Sequence, residues 1–192
     1  MVTGFADIID FWFGAPHAPT RGRARVEWFR KNDAFDARIR ARFAACHELA
    51  ASRQLWSWES TPYAALALVI VLDQFPRNMF RGQPQAFDTD PLALAAARRL
   101  VERGFDRVYL PVERGFAYLP FEHCEDLACQ RRALALFGSL AAYRDCAGTI
   151  DYARRHYEII ARFGRFPHRN ELLGRPSTPE EIEFLRQPGS GF

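Results

Sequence analysis

Paired cysteines are missing from this chain. Cys46, Cys124, Cys129 and Cys146 form no Cys-x-x-Cys, which excludes a zinc knuckle and a thioredoxin motif. Four reduced core thiols in a cytoplasmic protein are the expectation. Long hydrophobic runs are missing too. The longest uncharged stretch, 60–72, falls short of the ~20 residues a spanning helix needs, so no membrane partner is expected. The apolar stretch 1–13 carries Asp7 and Asp10, which argues against a signal peptide. No Gly-x-Ser-x-Gly elbow and no phosphate loop occurs, so two common catalytic frames are excluded. Lysine is almost absent: Lys31 stands alone against 25 arginines. Biased codon usage and selection for guanidinium chemistry explain that equally well. With 23 acidic residues and a net charge of only +3, the arginines read mostly as a salt-bridged surface, and a nucleic-acid partner is disfavoured.

What is present is a core. In 192 residues, 48% are hydrophobic and 14% aromatic, enough for one folded domain spanning 1–192. Helical periodicity runs almost everywhere. The segment 3–13 stops at Gly14, and a basic loop follows at 16–25. Asn32 is placed to cap a helix running to about residue 51, with Phe35, Ile39, Phe43 and Cys46 at spacings of three and four. Thr61-Pro62 starts a helix over 61–74 that is apolar on every side through 64–72, the pattern of a central buried helix. Asp90-Pro91 starts another, closed by Gly104. Pro120 is read as opening a helix through Phe137, and Thr149 as capping one that ends at Phe163-Gly164. Ser177 and Thr178 each have a glutamate three residues on, the capping-box spacing of a last short helix. Seven or eight helices with short loops make an all-α fold of antiparallel hairpins, stacked as a bundle or short superhelix. No strict 34-residue repeat is visible.

One phrase occurs twice: Gln-Phe-Pro-Arg-Asn at 74–78 and Arg-Phe-Pro-His-Arg-Asn at 165–170. Proline should end the preceding helix in each case and leave Arg77 and Asn78, or Arg165, His168, Arg169 and Asn170, at a rigid corner. Asp73 lies near the end of the buried helix, where the dipole opposes it, and Arg77 is its nearest cation. On helical spacing His123 and Gln130 face inward with Leu127, Leu134 and Phe137, and His156 faces inward with Tyr152, Ile159 and Phe163. A single inward histidine is usually a satisfied core residue; several together point to a site. Glu122, Glu125 and Asp126 read either as paired carboxylates for acid–base work or as first-turn residues favoured by the macrodipole. Glu122, His123, Asp126 and His156 are acceptable metal ligands by type, but no His-x3-His or Glu-x2-His occurs, so no metal is expected. Cys124 stands beside His123 and near a helix N-terminus, where a thiol pKa falls; a passive buried thiol is the simpler reading.

The strings Asp-Gln-Phe-Pro-Arg-Asn-Met-Phe-Arg-Gly (73–82), Thr-Asp-Pro-Leu-Ala-Leu (89–94), Pro-Phe-Glu-His-Cys-Glu-Asp (120–126) and Arg-Phe-Gly-Arg-Phe-Pro-His-Arg-Asn (162–170) resemble the bacterial domain-of-unknown-function 924 family. So does Leu-Gly-Arg-Pro-Ser-Thr-Pro-Glu-Glu (173–181), and the likeness begins at Ile9-Asp10-Phe11-Trp12-Phe13-Gly14. The resemblance implies an all-helical fold similar to tetratricopeptide superhelices. It implies no established activity, hence no catalytic assignment and no cofactor. Cys124 stands where relatives are expected to carry serine, which argues against an essential thiol.

Three functional expectations follow. The first is a cradle in which Asp73, Arg77, Asn78, His123, His156, Arg165, His168, Arg169 and Asn170 hold a small anionic molecule or a peptide, arginine being suited to bidentate recognition of carboxylate or phosphate. The second is an enzyme using His123 and His156 with Glu122 or Asp126 as acid–base groups. The third makes both Phe-Pro corners internal brackets that satisfy helix-end carbonyls. The separation of the corners discriminates: within about 10 Å, one helix diameter, they make one composite site.

Overall fold

The computed structural model describes residues 3–191; positions 1 and 2 of the apolar N-terminal stretch lie outside it. Among the described residues there are eight α-helices and no strand: α1 (Phe5–Phe13), α2 (Asp33–Ala51), α3 (Pro62–Met79), α4 (Asp90–Glu102), α5 (Pro111–Glu122), α6 (Leu127–Gly138), α7 (Ala147–Phe163) and α8 (Pro179–Leu185). Successive helices pack as hairpins, α2 on α3, α3 on α4, and so on to α6 on α7. The all-α expectation holds.

Helix α3 is the axis of the fold, packed by α1, α2, α4 and α5. Every residue from Ala64 to Pro76 is buried, which is what an apolar surface on all sides requires. Aromatic rings close its lower end: Phe75 lies 4.8 Å from Phe43 and 5.7 Å from Trp12. The basic loop is pinned rather than loose. Arg21 reaches the fully buried Glu113 at 2.7 Å and the Gly14 carbonyl at 2.6 Å, while Arg25 donates to the carbonyls of Phe11 and Trp12 at the end of α1.

Two prolines behave differently from expectation. Pro76 lies inside α3, which continues to Met79. A proline there cannot donate to the carbonyl of Leu72, and the helix survives because another donor replaces it: the buried Thr89 hydroxyl donates to Leu72 O at 2.6 Å. Pro120 likewise lies inside α5 and opens nothing. The helix expected from Pro120 through Phe137 is two helices, α5 and α6, with a turn at 123–126 between them. Gln130, fully buried, holds that turn by donating to the carbonyls of Glu122 and Cys124.

Caps follow the sequence more closely. The Asn32 side chain accepts from Phe35 N, and Thr178 and Glu181 form the capping box of α8. Gly164, at φ +70°, ends α7. The cap expected at Thr149 is not one: α7 starts at Ala147, and the Thr149 hydroxyl donates to Cys146 O instead. Asp90 is the first residue of α4 rather than its cap, which leaves its carboxylate free to face the core's edge.

Candidate functional site

Four segments meet at one edge of the core: the C-terminal turns of α3, the start of α4, the α5–α6 turn, and the 3₁₀ turn Pro167–Arg169. The carboxylate of Asp90 joins the first two to the last. Arg77 grips it with both terminal nitrogens, at 2.8 and 3.0 Å, and Arg169 Nη1 reaches its Oδ2 at 3.4 Å. Both guanidinium groups also lie over the Phe87 ring, at 5.7 and 4.7 Å. Arg77 and Arg169 therefore converge on one carboxylate, within the distance that makes the two Phe-Pro corners one composite cluster.

Behind Arg77 lies Asp73, completely buried. Its Oδ2 accepts from Gln74 at 2.6 Å, and its Oδ1 lies 2.7 Å from His123 Nδ1 and 3.4 Å from Arg77 Nη1. Burial pushes this carboxyl's pKa up, but the His123 and Arg77 interactions outweigh it and hold the group below its ordinary range. His123 is shifted down, first by burial and then by the Arg77 charge, while the Asp73 carboxylate opposes the shift; with its proton on Nδ1 the ring donates to that carboxylate.

Deeper in, the His156 ring stands 6.2 Å from that of His123. His156 Nδ1 lies 2.9 Å from Tyr152 O and 3.1 Å from Glu122 Oε1. Burial depresses the imidazole to about 3 and raises the Glu122 carboxyl to about 8, the latter helped by Asp73. With the carboxyl raised and the imidazole lowered, the 3.1 Å approach of the two favours both neutral forms near pH 7 rather than an ion pair. His168, half-buried and tilted against Phe166 at 5.6 Å, is lowered to about 4 by burial and then by Arg169.

Arg169 differs from the other arginines of the fold. Arg81, Arg99, Arg165 and Arg175 each grip a carboxylate with two nitrogens. Arg169, only 6% exposed, has the single long contact to Asp90, and its Nε finds no hydrogen-bond partner among the described residues. It is held instead by aromatic faces, between Phe87 at 4.7 Å and Phe166 at 4.6 Å. Burial, then the Arg77 charge, lower its pKa to about 10.

The other expected residues lie outside this cluster. Asn78 donates to Asp36 at 2.7 Å and ties α3 to α2. Arg165 grips Glu181 of α8, and Asn170 donates to Ser177 and Glu181 while accepting from Arg175. Asp126 is exposed and caps α6 through Cys129 N at 2.8 Å. The three acidic residues do not share one first turn: Glu122 ends α5, Asp126 caps α6, and Glu125 between them accepts from Phe166 N and pairs with Arg175. Asp90 and Phe87 complete the cluster and were not expected from sequence. The signal for Asp90 was there, an acidic residue before a proline, but it reads as a cap. All four cysteines are free, and Cys124 alone is not fully buried. Among the described residues no group of three or more histidine, cysteine or acidic side chains is arranged to hold a metal ion, and no helix is long and apolar enough to cross a membrane.

These features define an all-helical protein with a charged, aromatic-walled cluster at the edge of its central helix. The chain belongs to a family described as bacterial protein of unknown function (DUF924), whose sequence profile matches residues 8–189. It is similar to a solved structure, the protein of unknown function ATU0120 from Agrobacterium tumefaciens, at 42% identity and a TM-score of 0.85, over 95% of this chain and 96% of that one. Nothing matches among curated proteins.

Proposed function

We propose that the protein binds a small anionic ligand, a carboxylate or phosphate, at Arg169, with Arg77 and the three histidines around it. One observation supports this above the others. Arg169 is a buried guanidinium with one long bond to Asp90 and no partner for its Nε among the described residues, in a fold where Arg77, Arg99, Arg165 and Arg175 each grip a carboxylate with two nitrogens. An under-bonded buried cation is costly, and a planar anion is the partner its fork fits. Brackets account for Asn78, Arg165 and Asn170, whose side chains bond to partners within the fold. They do not account for Arg169.

The test is thermal unfolding across phosphate, sulfate, dicarboxylates and nucleotides. An anion held at a hundred times its Kd should stabilise the wild type by about 2.7 kcal/mol. Arg169→Met keeps the stem between the two rings and removes the fork. It should lose the anion response while its own stability stays unchanged or rises. A wild type indifferent to every anion, with a clearly less stable variant, decides for a bracket.

A second reading has its own support. The 2.7 Å contact between Asp73 and His123 is an imidazole oriented by a buried carboxylate, the arrangement of a general base. Turnover of a bound ligand that is lost in His123→Gln, with binding retained, would favour it.

A further inference from the structure

We propose that the site takes a planar monocarboxylate rather than a phosphate or sulfate group, seated side-on against Arg169. The inference rests on the binding reading above and concerns which anion that site selects. Its first ground is the edge of the guanidinium that Asp90 leaves open. A guanidinium presents Nε and Nη2 along one side, parallel donors matched to the two oxygens of a carboxylate. This fold uses that side three times. Arg81, Arg99 and Arg165 each place Nε and Nη2 on one carboxylate, that of Asp36, Glu59 and Glu181 respectively, at distances from 2.6 to 3.1 Å. Asp90 meets Arg169 at Nη1, off that side, and Nε has no partner among the described residues. The side that holds carboxylates elsewhere in the molecule is the side that Asp90 does not take here.

The second ground is room. The Arg169 guanidinium carbon lies 4.7 Å from the centre of the Phe87 ring and 4.6 Å from that of Phe166. A carboxylate in the plane of the fork is one atom thick and extends it as a flat sheet between such walls. The remaining oxygens of a phosphate or sulfate stand out of that plane, where they would lose water and gain no donor. The third ground is charge. Arg77 and Arg169 stand against Asp73 and Asp90, and Arg175 against Glu125. Glu122 is raised to about 8, and His156 and His168 are lowered to about 3 and about 4, so these three favour their neutral forms near pH 7. His123 is lowered as well. Charge brought by a ligand meets no surplus of cations, and a monoanion brings less of it into the desolvated site than a dianion does.

Acetate, methanesulfonate and sulfate separate these grounds, since the first two share a charge and the last two share a tetrahedral head. Each is titrated into isotope-labelled protein at pH 7.5, with sodium chloride holding the ionic strength constant. The readout is the Nε–H resonance of Arg169, identified by its loss in Arg169→Lys. Acetate should shift that resonance and bind at least about tenfold more tightly than sulfate, one decade of affinity, with methanesulfonate between them. Arg169→Lys keeps the charge and removes the flat pair of donors. Its preference for acetate, followed by thermal unfolding, should vanish. Sulfate or methanesulfonate moving the wild-type resonance with an affinity equal to that of acetate overturns the carboxylate class and leaves the binding reading standing. A preference for acetate that survives in Arg169→Lys overturns it too. If none of the three moves the Arg169 resonance, the binding reading falls and this inference with it.

Discussion

At the scale of residues, the cluster was legible wherever a polar side chain interrupted an apolar pattern. His156 and Gln130 were placed inward by helical spacing and Asp73 at the end of the buried helix, and all three are buried. His123 is inward too, though as the residue closing α5 rather than as part of the following helix. Asp90 and Phe87 escaped because their neighbours in space are far off in sequence, and no spacing rule joins residue 90 to residue 169. The opposed shifts of Glu122 and the histidines predict a pH profile. Glu122 titrates at about 8 when folded against an ordinary 4.5, so its contribution is complete below pH 4.5 and is lost as pH rises toward 8. The slope is up to ~1.4 kcal/mol per pH unit. His156, at about 3, and His168, at about 4, act in the other sense: their contribution is complete above pH 6.5 and is lost as pH falls. Glu122→Gln should therefore gain stability relative to wild type between pH 5 and pH 8. Urea unfolding at the two pH values measures it, and parallel changes in both proteins would show that Glu122 is ordinarily ionised.

At the scale of elements, α3 was readable from its composition but not from its end. A proline inside a helix orphans the carbonyl four residues back, and the donor that takes that carbonyl here, Thr89, comes from outside α3. Pro120 misled differently: a proline at the head of an apolar-periodic stretch looks like a first-turn residue until the preceding helix, α5, is seen. Thr89→Val keeps the shape and removes the hydroxyl, so the buried Leu72 carbonyl should cost roughly 1–3 kcal/mol when left unpaired. A change below half a kilocalorie in urea unfolding would mean that water or a shifted backbone satisfies it. Leu68, fully buried in α3, sets the scale for packing: Leu68→Ala should cost around 2–5 kcal/mol.

At the scale of the molecule, the all-helical hairpin fold was legible from caps and periodicity. The tie between its last helix and the rest was not. Helix α8 buries little apolar surface and is held by polar bonds, with Glu181 accepting from Arg165, Asn170 and Thr178 N. Glu181→Gln should speed amide hydrogen exchange in α8 while leaving α3, the most deeply buried helix, unchanged. Equal acceleration in both would show that the molecule opens as one unit.

Asp90 has a consequence for which anions such a site would notice. It is a carboxylate tethered beside Arg169 by its place at the start of α4, a competitor that never diffuses away. Tethered groups act at effective concentrations of the order of millimolar, so an outside anion offering no more than a carboxylate's bond would answer only to abundance. A scarce ligand has to offer what Asp90 cannot, a bond to the Nε of Arg169. The internal rival would thus set the detection threshold, and Asp90→Asn would lower it.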